Sequence, residues 1–272
     1  MAAVAPSAEE RRARFAELHA RDGLFLMPNP WDVGSTRLLT ALGFEALATT
    51  SQGFAWSIGK RDQTVTRDEL VAHVAAVAAA TPLPLNVDSE RLYPDDPGGV
   101  AETVRLLADA GAAGCSIEDW DPATERIDEV GLAAERVSEA ATAADAADWP
   151  FVLTGRAENH LRGVDDLDDT IARLVAYRDA GAHCLYAPGL TRLEQIETVV
   201  EAVEAPVNVL ALPVGPSVFE LGRAGVRRVS TGSLVAGAAY AALERAAAEL
   251  AAGSSRYAEA RLSRDLLDRA FG

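Results

Sequence analysis

Short apolar runs alternate along the chain with longer stretches of helical period. Runs such as Leu24-Phe25-Leu26-Met27, Leu83-Pro84-Leu85 and Phe151-Val152-Leu153 are apolar at consecutive positions. That is the pattern of parallel strands buried on both faces, because a strand with one wet face would alternate. The reading predicts strands at 24–27, 45–50, 84–87, 114–117, 151–154, 183–186, 207–210 and 228–230. Between them, apolar positions recur three and four apart. These stretches predict helices at 8–20, 33–42, 66–80, 97–110, 132–146, 167–180, 193–203, 218–224 and 233–252, with a last one over 256–270. Thr66 with Glu69 forms a capping box at one start. The polar stretch 51–63 reads as a long loop.

Four helices close on the same signature: Leu42-Gly43, Ala110-Gly111, Ala180-Gly181 and Ala224-Gly225 each precede an apolar run. Glycine just past a helix takes the left-handed conformation that ends it. The unit is a repeated strand and helix, and eight copies fit the chain. The fold class expected is therefore α/β, a (β/α)₈ TIM barrel with additional N- and C-terminal helices. An open doubly wound sheet is the alternative, but no GxGxxG follows the first strand. No linker or composition break interrupts residues 1–272, so a single domain is expected.

Charge and composition narrow the function classes. With 25 basic and 41 acidic side chains the formal net charge is −16. A nucleic-acid partner is not expected, since phosphate binding needs a basic face. No apolar run is long enough to span a bilayer, so no membrane partner is expected. The segment Met1–Arg14 turns charged before a signal-peptide core could form, which points to a cytoplasmic protein. The two cysteines, Cys115 and Cys184, lie in apolar runs without a CxxC partner and read as buried free thiols.

In a barrel, the C-terminal ends of the strands share one face, and chemistry sits there. The chain places Asn29, Thr50, Ser51, Asn86, Asp88, Glu118, Asp119, Arg156, Glu158, Tyr186, Asn208 and Thr231 at or just past those ends. Singly, each has a plain structural reading: an acid after a strand caps a helix, and an arginine near acids neutralises them. Together they point to a site. Asp88, Glu118 and the loop acid Asp62 are candidate holders of a hard divalent cation, Mg²⁺ with Mn²⁺ as a substitute, which keeps waters and needs few carboxylates. Arg156 offers a planar fork for a substrate carboxylate. A metal and an arginine facing one pocket suit a 2-oxo acid, whose enolate a Lewis acid stabilises. His183 should lie at the far end of its strand, and His160 reads as a solvated loop histidine. No GxSxG elbow and no zinc-type His/Cys spacing is present.

Taken in order, these segments resemble the isocitrate lyase/phosphoenolpyruvate mutase superfamily, from about residue 29 to 233. Thr50-Ser51-Gln52-Gly53 and Ser57-Ile58-Gly59-Lys60-Arg61-Asp62 resemble its SG turn followed by LGxxD. Asn86-Val87-Asp88 resembles its DxD, Ser116-Ile117-Glu118-Asp119 its IED, and Gly155-Arg156-Ala157-Glu158 its ARxEA. The resemblance implies a lyase acting on a 2-oxo acid or related small carboxylate through a pyruvate-like enolate. It implies metal held, mostly through water, by Asp62, Asp88 and Glu118, with Asn86 in the place of a further acid. It implies Ser51, Gln52 and Arg156 on the substrate. Thr50, Gly53, Tyr186 and Asn208 complete the candidate substrate contacts, and Arg156, Glu118 and Ser51 are the candidate catalytic residues. It further implies a homo-oligomer, a dimer or tetramer, in which a C-terminal helix within about 233–270 swaps between subunits. Two departures stand out. Asn86 is neutral where the family has an acid, and the segment Trp120–Arg126 lacks the KKCGH-type motif of isocitrate lyases. A P–C bond mutase or hydrolase, and a 2-oxo acid binding protein of low activity, are the alternative readings.

Overall fold

A computed structural model describes residues 6–146 and 150–272. Residues 1–5 of the Met1–Arg14 segment lie outside the described residues. Eight parallel strands form one sheet: β1 (Phe25–Met27), β2 (Leu47–Ala48), β3 (Leu85–Asp88), β4 (Gly114–Glu118), β5 (Val152–Arg156), β6 (Cys184–Tyr186), β7 (Val207–Leu210) and β8 (Arg228–Ser230). The hydrogen-bonded order runs from β2 through β3, β4, β5, β6 and β7 to β8 and then β1. The seam between β1 and β2 is nearly closed: the Ala48 N–H donates to the Pro28 carbonyl at 3.1 Å. This is the expected α/β barrel, with each expected strand present though several are shorter.

Asn29 secures the seam from the inside. Its Nδ2 donates to the Thr49 carbonyl (2.7 Å), and its Oδ1 accepts from the Thr231 and Gly232 N–H groups at 2.8 and 3.0 Å. One buried side chain thus ties the ends of β1, β2 and β8. Glycine serves the barrel wall where strands and helices touch most closely. A Cβ on Gly114 would lie 2.3 Å from the Val152 carbonyl oxygen, and one on Gly155 would lie 2.8 Å from Tyr177 Cβ.

Three local expectations change. The stretch read as loop opens with a helix, Ser51–Ser57, capped by Thr50, whose hydroxyl accepts from the Gly53 N–H. Phe54 on that helix stacks on His73 with ring centroids 3.8 Å apart, so packing supplies what the sequence Ser-Gln-Gly does not. Residues 120–127 form a small antiparallel hairpin, Trp120–Asp121 with Arg126–Ile127. The expected helix 256–270 is instead a 3₁₀ turn, Arg256–Glu259, followed by a helix Arg264–Phe271 that Ser263 caps. Among the described residues, no helix is long and apolar enough to cross a membrane.

Candidate functional site

The strand ends of the barrel surround a pocket of about 170 Å³. Most of the expected site residues line it: Thr50, Ser51, Gln52 and Asp62 on one side, and Asn86, Asp88, Arg156, Tyr186 and Asn208 on the other. Two do not. Gly53 is buried against Thr50 and Trp31, where a Cβ would meet Thr50 Cγ2 at 2.6 Å. Its role is to let the Ser51–Ser57 helix approach the barrel, and it is not placed to touch substrate. Glu118 is also buried and lies off the pocket wall.

Asp88, the last residue of β3, is held at three points. Its N–H donates to Thr49 Oγ1 at 2.9 Å, its Oδ2 accepts from the Ser51 N–H at 3.0 Å, and its Oδ1 lies 3.3 Å from Arg156 Nη1. The Ser51 N–H, implied as a substrate donor, is therefore committed to Asp88 in this state. Gln52 is tied across the seam, accepting from the Ser233 hydroxyl at 2.5 Å.

Arg156 is the centre of the arrangement. The register of β4 with β5 sets Glu118 beside it, and the two-residue step along its own chain brings Glu158 to it. Nη1 lies 3.1 Å from Glu118 Oε2, Nε pairs with Glu158 Oε1, and the guanidinium carbon lies 5.5 Å from the centre of the Tyr186 ring. Gln63 Nε2 donates to the other Glu118 oxygen at 2.9 Å, and Arg162 Nε to the other Glu158 oxygen at 3.2 Å. Burial works against the Arg156 charge, but Glu118, Glu158 and Asp88 outweigh it and hold the group protonated. Burial pushes Glu118 well above the usual carboxylate range, helped by repulsion from Glu158, Asp88 and Glu90 and opposed by Arg156. Burial and then Asp88 raise Asp62, and Glu90 is pushed up to about 8, by burial first and then by Asp88 and Asp62. Glu90 and Gln63 were not among the expected site residues. Both have positive φ (50° and 63°), which no composition or period would flag.

The donors here are hard oxygens. Asp62 Oδ1 and Asn86 Oδ1 are buried, line or adjoin the pocket, and lack a hydrogen-bond partner. Asp88 and Glu118 are bridged by Arg156, and among the described residues no three acids, histidines or cysteines are gathered tightly enough to cage an ion. The set fits a hydrated hard cation that takes one or two direct oxygens and keeps its waters, and it does not fit a fully dehydrated ion.

The remaining strand-end residues are structural. Asp119 turns away from the pocket, accepting from Tyr177 Oη at 2.6 Å and from the Glu158 N–H at 2.9 Å. His183 lies at the far end, as expected, where its Nδ1 accepts from the Leu153 N–H at 3.1 Å. His160 is not solvated: its side chain is 7 % exposed and sits 3.4 Å from Asp165 Oδ1. The next residue, Leu161, reaches the pocket in its place. The acidic segment after Glu118-Asp119 is pinned as a hairpin, with Arg91 on Asp121 at 2.8 Å and Arg162 over the Trp120 ring at 4.0 Å.

Comparison with known proteins places this geometry among relatives. A family model described as phosphoenolpyruvate phosphomutase matches residues 15–251. A crystal structure of a Burkholderia cenocepacia protein assigned, without a demonstrated activity, as a lyase/mutase superposes with a TM-score of 0.92 at 48% identity, covering 97% of each chain. An uncharacterized protein of Mycobacterium tuberculosis is 34% identical over 243 residues, 88% of this chain and 89% of its own. The oxaloacetate decarboxylase of Paraburkholderia xenovorans is 32% identical over 222 residues, 77% of this chain and 71% of its own.

Proposed function

The chain belongs to the phosphoenolpyruvate phosphomutase family, and from that membership we propose that it is a Mg²⁺-dependent lyase that cleaves a C–C bond next to a 2-oxo acid, by decarboxylation or retro-aldol cleavage. The observation that carries the reading is the pairing of Arg156 with unpartnered oxygens in one pocket. The printed activity of the decarboxylase relative supports a small 2-oxo acid as the substrate type. Asp62, Asp88 and the Asn86 carbonyl would hold the cation through one or two direct oxygens and otherwise through its waters, as would Glu118. When bound, it supplies Lewis-acid stabilisation for charge that develops on the 2-oxo oxygen.

The chain's own residues do the rest. Arg156 is kept fully charged by its acids, so it can turn its fork from Asp88 to a substrate carboxylate without losing Glu158. That turn would leave Asp88 Oδ1 without a partner, so that it could help to hold a cation. Substrate entry and the exchange of partners at Asp88 are thereby one event. Tyr186 is pushed up to about 12 by burial, so at neutral pH it keeps its proton and can donate it to a carbanionic carbon or hold an oxyanion.

The test is a screen of 2-oxo and 2-hydroxy diacids with Mg²⁺, detecting pyruvate, glyoxylate or CO₂. Turnover of at least one diacid, abolished by chelator, is the expected result. Turnover that survives chelation, or release of phosphate from phosphonopyruvate alone, would overturn the reading.

The same family reading extends to assembly. The helix Leu234–Ala251 buries only Ala236, while Leu243 and Leu250 are 63% and 58% exposed, and Leu26 on β1 is 39% exposed. Apolar side chains on a long exposed helix and an uncovered barrel strand suit a second copy of the chain. Light scattering should give a dimer or tetramer, and Leu243→Glu with Leu250→Glu should shift it toward monomer. A wild-type monomer at micromolar concentration would refute the assembly.

A further inference from the structure

The floor of the pocket holds a buried cation whose charge no acid cancels. Arg228, the first residue of β8, is 1% exposed and lines the pocket. Its Nε donates to Asn208 Oδ1 at 2.9 Å, its Nη2 to Thr154 Oγ1 at 3.0 Å, and its Nη1 meets His19 Nε2 at 3.1 Å. The other His19 nitrogen faces the Phe15 carbonyl at 2.8 Å, so Nδ1 carries the ring proton and Nε2 is left to accept from Arg228. Burial first and then Arg228 itself bring His19 down to about 3, so it stays neutral. Among the described residues no carboxylate pairs with Arg228. An arginine keeps its proton in such a place. In a low-dielectric interior, its charge polarises the groups that it donates to.

Those groups form a chain with one direction. A guanidinium has donors only, so Asn208 turns its oxygen to Arg228 and its Nδ2 to Ser230, to whose Oγ it donates at 2.9 Å. Ser230 Oγ accepts there and has its own proton left to give. The Ser230 hydroxyl reaches the Tyr186 phenol and favours its ionised form, as a donor to the phenol oxygen does. The strands bring these residues together. Tyr186 is in register with Asn208, and Asn208 with Arg228, while Ser230 follows two residues on and shares the face of Arg228. All four line the pocket. Branched apolar side chains ordinarily fill the interior of such a barrel, so packing alone does not call for this polar row. A phenol oxygen that accepts from Ser230 keeps its own O–H for the pocket. Of the other groups that face Tyr186, Arg156 also favours its ionised form, and Glu158 and Asp88 oppose it.

We propose that Arg228 is the positioning residue of Tyr186: through Asn208 and Ser230 it holds the Tyr186 oxygen to Ser230 and turns the Tyr186 proton to the pocket, which makes Tyr186 the acid that protonates the enolate carbon. This rests on the lyase reading and assigns its proton donor. In the step, the Tyr186 O–H bond breaks and a C–H bond forms with the electron pair of the enolate. The phenolate left behind is met by the Ser230 hydroxyl and by the charges of Arg156 and Arg228, and water returns its proton.

Fluorine NMR of the full chain carrying 3-fluorotyrosine tests the relay without turnover, since the fluorinated phenol ionises at a lower pH. The chain has five tyrosines, and Tyr186→Phe identifies the resonance of interest. Ser230→Ala removes a donor to the phenolate, so it should raise the Tyr186 titration midpoint by about one pH unit. Arg228→Met should raise it too, and by less in the Ser230→Ala chain than in wild type, because part of its effect travels through the hydroxyl. Asn208→Asp makes the same comparison if the methionine variant fails to fold. It is isosteric, gives Arg228 a counter-ion, and draws the Ser230 proton to itself. An unmoved midpoint in Ser230→Ala overturns the proposal. So does an Arg228 or Asn208 effect of equal size with and without the Ser230 hydroxyl, which would mean charge acting through space. Once the screen above has found a substrate, Ser230→Ala and Tyr186→Phe should lower kcat more than they change KM. A failed screen would sink the lyase reading and leave the measured relay standing.

Discussion

Arg156→Gln is expected to lower turnover by about 10³-fold, a loss typical of removing a group that holds charge in the transition state. The same change should destabilise the fold. Arg156 touches Asp88, Glu118 and Glu158, of which the last two side chains are 2% and 0% exposed. Removing one partner of a buried ion pair costs about 3–5 kcal/mol, because the other charge is stranded. The two losses are separable by pH. Glu118 is already raised in the folded protein by burial, with Arg156 as the opposing influence. Without Arg156 it rises further. A carboxyl whose folded pKa exceeds its unfolded value binds more protons when folded, so its contribution falls as pH rises above the unfolded value. Urea unfolding of Arg156→Gln should therefore show the largest deficit at neutral and alkaline pH and a partial recovery in mild acid. Wild-type-like stability across pH, or near-normal turnover, would show that Arg156 only fills space. Arg156→Lys should restore part of the stability and little of the turnover, since an ammonium cannot present a planar fork to a carboxylate while keeping Glu158.

The fold was legible because its strongest constraint is written in every unit. A strand buried on both faces must be apolar at successive positions, and a helix that turns back to the barrel must end, so Gly43, Gly111, Gly181 and Gly225, all with positive φ, stand where the helices close. What escaped the sequence has weaker local marks. The Ser51–Ser57 helix carries Ser, Gln and Gly in its first turn, and it forms through the Thr50 cap and the stacking of Phe54 on His73. The hairpin at Trp120–Ile127 has two-residue strands, too short for any period, and depends on Arg91 and Arg162 from other elements.

The site divides the same way. The order of the strand ends located Asp88, Arg156 and Tyr186, because each is the last residue of its strand, whereas Asn208 lies within Val207–Leu210. Pleat and register then decide which of the end residues face the pocket. They place Glu118 behind Arg156 and turn Asp119 toward Tyr177. Arg228 was read only as the first residue of a strand; its place on the pocket wall depends on contacts with positions 19, 154 and 208, which no local pattern shows. Glu158 belongs to the motif around Arg156, yet its importance appears only when its oxygens are seen on Arg156 and Arg162.

Asp88→Ala is expected to abolish Mg²⁺-dependent turnover, by about 10²–10³-fold, and to weaken metal binding by a factor of at least ten. Asp88→Asn isolates the charge. The amide oxygen can still accept from the Ser51 N–H, which spans 3.0 Å in the native protein, so the helix stays anchored while the metal loses a carboxylate. Both variants should therefore lose metal, and only the alanine should also loosen the Ser51–Ser57 segment, a difference that hydrogen exchange at Ser51 and Gly53 would read. The opposite change tests the same logic from the other side. Asn86 lines the pocket with an unpartnered Oδ1. Asn86→Asp adds a negative charge beside Asp88, Asp62 and Glu90, three acids that already repel one another. Without metal the variant should be less stable than wild type at neutral pH. A divalent cation relieves that repulsion, so saturating Mg²⁺ should raise its melting temperature by more than it raises that of wild type. Affinity should increase with the added ligand charge. If Asn86→Asp gains neither affinity nor a larger Mg²⁺-induced shift, position 86 does not face the cation. If Asp88→Ala binds Mg²⁺ and turns over as wild type does, the acid at the end of β3 is only the cap of the Ser51 N–H.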